Sequence, residues 1–213
     1  MRAKMKIELS TFQEEVLKEA FNISMGRAAA ALNEMVNEEV SLTVPNILFV
    51  SSKDFTFKES YLEEKELCFI KQHFAGTFFN SDAVLIFTND ESMELIRLFL
   101  NENTISADNF EEFTDLQQEA MSEIGNIILN SCIASFAEML KDNIKGTLPL
   151  YARTNSDELF NHLKVSHNHE LVLLLYIDFK LRSRSISGYL LMMIEISNFN
   201  VFMDRLVENM DLN

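Results

Sequence analysis

The chain has 213 residues, 47% of them hydrophobic, enough apolar material for a sizeable core and too much for a disordered protein. Lys and Arg number 18 against 33 Asp and Glu, a formal charge of −15, which argues against a phosphate-backbone ligand and against anionic membrane. The basic start "MRAKMKIELS" has no apolar stretch, and no window approaches the roughly 18 uninterrupted apolar residues of a spanning helix, so a cytoplasmic protein without membrane insertion is expected. Cys68 lies in an apolar run and Cys132 in a helical pattern, without C-x-x-C spacing, as expected of reduced thiols in a core.

In chain order, Ser10-x-x-Gln13 is a capping-box pattern that opens a first helix. Along it come Glu15, Glu19 and Asn22, and 23 positions after the Asn comes Pro45. "ELCFIKQHF" and "DAVLIF" read as strands and "NDESMELIRLFL" as a capped helix. Thr114-x-x-Gln117 then opens a second long helix with Glu119, Glu123 and Asn126, followed at the same interval by Pro149, the only other proline. "ELVLLLYIDFKL" and "SGYLLMMIEI" follow as strands and "SNFNVFMDRLV" as a closing helix.

The two motif segments lie 104 positions apart, and the windows 15–45 and 119–149 share nine identities in 31 positions. The expected architecture is α/β (α+β), with two similar units over about residues 8–103 and 112–211. No Pro-, Gly- or Ser-rich linker separates them, so they are expected to pack as a single domain.

With Glu15 at 0° on a helical wheel, Glu19 falls near about 40°, Asn22 near about −20°, Gly26 near about 20° and Ala29 near about −40°. Leu17, Ala20, Ala28, Ala31 and Met35 form the opposite, buried side. In the second helix Met121, Ile124, Ile128, Cys132 and Met139 oppose Glu119, Glu123 and Asn126, and Asn130 and Ile133 stand where the first has Gly26 and Ala29. A solvated helix face accounts for a single Glu-x-x-x-Glu-x-x-Asn. Retention of the Asn in both copies does not fit that reading, because Asn is a poor mid-helix residue that competes with its own backbone. A carboxylate beside a carboxamide does not form an acid–base pair, but it suits holding: the Glu pairs with a cation of a partner and the amide orients a water. That chemistry fits hydrolysis in which the partner brings the electrophile and its metal, and positioning supplies the rate.

These residues resemble the CheC, CheX and FliY phosphatases of chemotaxis, whose pattern is Asp or Ser, three residues, Glu, two residues, Asn, 22 residues, Pro. Glu19, Asn22 and Pro45, and Glu123, Asn126 and Pro149, match it twice. Length and two motif copies resemble stand-alone CheC. The resemblance implies a pseudo-two-fold fold with both motif helices exposed on one side, and the Ser187-Gly188 pair looks like the family's Gly-containing hairpin turn. It implies a monomer that dephosphorylates the aspartyl phosphate of a CheY-like receiver, with CheD as a further partner. Glu19, Asn22, Glu123 and Asn126 would be the catalytic residues, and Glu15, Glu119, Gly26, Ala29 and Asn130 would meet the partner. No cofactor or metal of its own is implied; Mg2+ would sit in the receiver. The alternative is a non-catalytic adaptor binding a receiver or CheD through the same face.

The chain departs from the pattern at Glu15 and Glu119, which replace Asp or Ser, and at Phe21, which stands where Gly precedes the Asn. Gly125 keeps the Gly, and Phe21 falls on the flank of the first stripe, so the second site is expected to be the more active. His162, His167 and His169 contain a His-x-His spacing that a metal could use, but without a third ligand the plainer reading is a polar loop. Phe55, Phe57, Phe78 and Phe79 read as core or as an apolar patch for a partner.

Overall fold

The computed structural model describes residues 9–36, 39–51, 65–100, 113–164, 171–181, 184–194 and 196–210. They form α1 (Thr11–Val36), β1 (Val40–Ser51), β2 (Glu66–Ala75), β3 (Asn80–Thr88), α2 (Asn89–Phe99), α3 (Asp115–Leu140), β4 (Lys145–Gly146), β5 (Leu150–Asn155), α4 (Ser156–Lys164), β6 (Leu171–Leu181), β7 (Arg184–Ile194) and α5 (Ile196–Met210). α1 and α3 each run 26 residues, with bounds offset by the interval that separates the motifs. Both start on capping boxes. Gln13 N donates to Ser10 Oγ at 3.2 Å and Ser10 N to Gln13 Oε1 at 3.0 Å, and the Thr114–Gln117 pair repeats this at 3.3 and 2.9 Å. α3 ends with Lys141 in the left-handed region (φ 51°), where Asp142 N reaches Ala137 O and Lys141 N reaches Glu138 O, a Schellman closure.

The strands build one antiparallel sheet in the order β1-β6-β7-β3-β2, with β4 and β5 both on the far side of β2. With β1, β2 and β3 as counterparts of β5, β6 and β7, the order β1-β6-β7-β3-β2-β5 reads the same from either edge. An approximate two-fold axis therefore passes between β3 and β7. Each half lends its edge strand to the other: β1 lies on β6, and β5 on β2. The result is one α/β domain in which neither half closes its sheet alone.

The helical side of the sheet holds the larger core, under α1, α3, α2 and α5. An aromatic chain crosses it from half to half: Phe21 meets Phe136 edge-on at 4.7 Å, Phe136 meets Phe202 at 5.4 Å, and Phe202 meets Phe79 at 5.7 Å. On the other side Leu159 and Leu163 of α4 close a smaller cluster over Leu67, Phe69, Val84, Ile86, Leu191 and Met193. β3 is consequently buried on both faces, which is why "DAVLIF" runs apolar without alternation. β2 alternates only past Ile70, where Lys71 and His73 converge on Asp82 at 3.0 and 2.7 Å.

Ser187 and Gly188 do not form a turn. They sit inside β7, opposite Asp178 and Ile177, and the β6–β7 hairpin closes instead on the pair Leu181–Arg184. The glycine has a packing cause: a Cβ on Gly188 would lie 2.5 Å from the Phe87 ring. Cys68 and Cys132 are both free and buried, and burial pushes the Cys68 thiol up to about 12 and the Cys132 thiol up as well, so both stay protonated.

Candidate functional site

The carboxylates of the two stripes stand in solvent. Glu15 and Glu19 on α1, and Glu119 and Glu123 on α3, are exposed, and no partner among the described residues neutralises them. Asn22 and Asn126 lie three residues beyond Glu19 and Glu123 and are half-buried, where each helix face turns toward the sheet. Gly26 is exposed, with nothing within 4 Å of where its Cβ would be. Across the helix pair, Arg27 Nη1 meets Glu138 Oε2 at 2.6 Å.

Asn22 is held by its proline partner's neighbour. β1 and β6 are in register up to Thr43–Asp178 and again from Asn46–Tyr176, so Val44 and Pro45 together oppose Ile177 alone. This is a β-bulge on an edge strand, a place where a residue without N–H does no harm. The bulge leaves Val44 N–H to donate to Asn22 Oδ1 at 3.0 Å. The spacing of Asn and Pro thus has a local meaning: the proline lies in the bulge, and the bulge supplies the donor that fixes the amide.

The second copy reaches the same end by other contacts. Leu148, the counterpart of Val44, is 89% exposed, and β5 begins only at Leu150. Asn126 Oδ1 instead accepts from Gln72 Nε2 at 3.2 Å and from Asn130 Nδ2 at 2.6 Å. Gln72, 2% exposed on β2, also donates to Thr147 O at 3.0 Å, so it ties the motif Asn to the proline segment as Val44 does in the first half. Asn130 also donates to Asn126 O at 2.8 Å.

Several sequence expectations change here. Phe21 is fully buried and packs on Phe136, so it neither flanks nor obstructs the first site. Ala29 is buried in the core and is not part of a partner-facing stripe, whereas Met35, expected inside, is exposed. For Phe21 and Ala29 the cause is the same: α1 packs on the sheet and on α3 at once, so its buried arc is wider than one amphipathic face and runs from Val16 through Ser24 to Ala29. Gly125 is buried too, with Ile70 Cγ1 2.7 Å from where its Cβ would be, so it serves helix–sheet packing and not the site. Phe79 is core, and Phe78 lies under the Arg205 guanidinium, 3.5 Å from its ring centre. Phe55, Phe57, His167 and His169 lie outside the described residues, and His162 falls in α4. Gln72 escaped the sequence reading because nothing local joins β2 to α3. Phe12 and Leu116 escaped it too, although their offset gives them away: each is exposed one turn before the first Glu of its stripe, at 49% and 54%.

No protein-family model matches the chain. Solved structures do. FliY of Thermotoga maritima superposes with a TM-score of 0.73 at 17% identity, over 94% of this chain and 98% of that one. FliM of H. pylori, solved in complex with FliG, gives 0.64 at 10% identity over 91% and 99%. CheX of Desulfovibrio desulfuricans gives 0.53 at 13% identity over 83% and 99%. The sheet order, the paired motif helices and these superpositions together identify the fold of this chain as that of the CheC/CheX/FliY family.

Proposed function

We propose that the chain hydrolyses the aspartyl phosphate of a CheY-like receiver domain. One arrangement carries this reading: on each of two pseudo-equivalent helices, an exposed carboxylate without a partner among the described residues precedes by three residues a carboxamide whose oxygen is fixed by a hydrogen bond. Glu19 and Glu123 pair with a cation beside the phosphoryl group, and the −15 charge of the chain steers a basic surface toward them. Asn22 and Asn126 place a water in line with the phosphorus. The water oxygen bonds to phosphorus while the bond from phosphorus to the aspartyl oxygen breaks. The aspartyl carboxylate leaves with the electron pair, and the water proton departs with inorganic phosphate. The Mg2+ that neutralises the phosphoryl oxygens is the receiver's. The protein's share of the rate is positioning, worth orders of magnitude when the attacking group is well aligned.

A second reading has its own support. The bonds Asn22–Val44 and Asn126–Gln72 give each amide a structural use, and the fold is also that of a FliM solved in complex with FliG. On that reading the stripes bind a receiver or CheD and the amides only brace the surface. Mixing the chain with a receiver carrying labelled acyl phosphate separates the two: faster release of phosphate supports hydrolysis, and binding with release at the receiver's own rate supports the adaptor.

A further inference from the structure

We infer that Asn130 is a positioning residue that holds the second site down, leaving Asn22 to carry most of the turnover; this rests on the phosphatase reading above. An amide oxygen has two lone pairs with which to hold the hydrogens of a water. Asn22 Oδ1 gives one of them to Val44 N–H, and no second donor among the described residues takes the other. Asn126 Oδ1 gives both away, to Gln72 Nε2 and to Asn130 Nδ2.

The direction of those two bonds is set by their surroundings. Asn130 Nδ2 also faces the backbone oxygen of Asn126, and Gln72 Nε2 also faces the backbone oxygen of Thr147. A carbonyl only accepts, so each neighbour must turn its NH2 group inward, and Asn126 Oδ1 is the acceptor for both. Gln72 is buried and ties Asn126 to the proline segment, the role Val44 has in the first half. Asn130 has no such counterpart: its equivalent in α1 is Gly26, which has no side chain to reach Asn22. The extra donor is thus confined to the second site and sits on its exposed face. A water that needs the occupied lone pair must first displace Asn130.

The test uses the full chain and a receiver with labelled acyl phosphate, in an Asn22→Ala background where only the second site works. Asn130→Ala and Asn130→Gly should each raise kcat by about threefold to tenfold, the equivalent of one neutral hydrogen bond. The mirror change, Gly26→Asn with Asn126→Ala, should lower kcat at the first site by a similar factor. A merely structural Asn130 predicts no gain from either substitution, and two variants guard against a folding defect in one, checked by circular dichroism. An Asn22→Ala protein as active as wild type, or an Asn130→Ala that gains nothing, overturns the inference while leaving the phosphatase reading intact. A wild-type chain that does not accelerate phosphate release at all overturns both.

Discussion

α1 and α3 occupy equivalent places on either side of the two-fold axis and display the same Glu–Glu–Asn stripe, yet the residues behind those stripes share little. Position 21 holds a fully buried phenylalanine, and its counterpart, position 125, has no side chain at all. One half fixes its amide with a backbone N–H from a bulged edge strand, the other with two side-chain amides. The exposed motif is the same in both halves while the support beneath it differs.

The largest test of this comparison exchanges what lies behind the stripes. Phe21→Gly should lower stability by about 4 kcal/mol, from a cavity beside Phe136 plus a glycine in a helix interior, seen as a lower denaturant midpoint. Gly125→Ala should lower it less, by about 1–3 kcal/mol, because the new methyl meets Ile70 rather than empty space. Equal losses would mean that the two positions are less specialised than the packing implies.

A pair of carboxylates sharpens the contrast through pH. In the second half Asp142 accepts from Thr77, Phe78 and Asn143 N–H, and although burial alone would raise its carboxyl, those bonds hold it below the usual value of 3.8. The stability it contributes is present above that value and lost as pH falls through the lowered one. In the first half, burial raises Glu91 above 4.5 despite its bond from Ser187 N. Its contribution is present below 4.5 and lost as pH rises through the raised value. Melting curves should show Asp142→Asn less sensitive than wild type to acid below pH 3.8, and Glu91→Gln gaining on wild type as pH rises above 4.5. The opposite slopes would refute the assignment.

The stripes themselves should respond to salt. Glu19→Gln and Glu123→Gln should each weaken receiver binding by about 0.2–1 kcal/mol at low ionic strength and by less at high, as exposed charge pairs do. Titration calorimetry at two salt concentrations reads this. The smallest effect belongs to Lys141→Gly, expected to stabilise by about 0.5 kcal/mol, since glycine removes the penalty of the left-handed cap at the end of α3.

Local signals carried much of the fold. The two capping boxes start their helices where the hydroxyl–Gln pairs stand, and the apolar runs at β2, β3, β6 and β7 are strands because β-sheet burial on one or both faces leaves that imprint. What was not legible depends on residues distant in sequence. Pro45 sits inside β1 because an edge strand with a bulge tolerates it, but only pairing with β6 makes that edge. Phe21 turns inward onto Phe136 of α3, a contact that no wheel drawn from α1 alone contains. At the site, the Glu and Asn positions were readable from spacing and repetition. Val44, Gln72 and Asn130 as supports were not, because each acts through a hydrogen bond whose geometry exists only after folding.

The phosphatase reading stands or falls on the two carboxamides. Release of labelled phosphate from a CheY-like receiver should be followed with wild type and with Asn22→Ala, Asn126→Ala in one chain, alongside circular dichroism and receiver binding. The account predicts at least about a hundredfold loss of acceleration with fold and binding retained. Undiminished acceleration by the doubly substituted chain would contradict it.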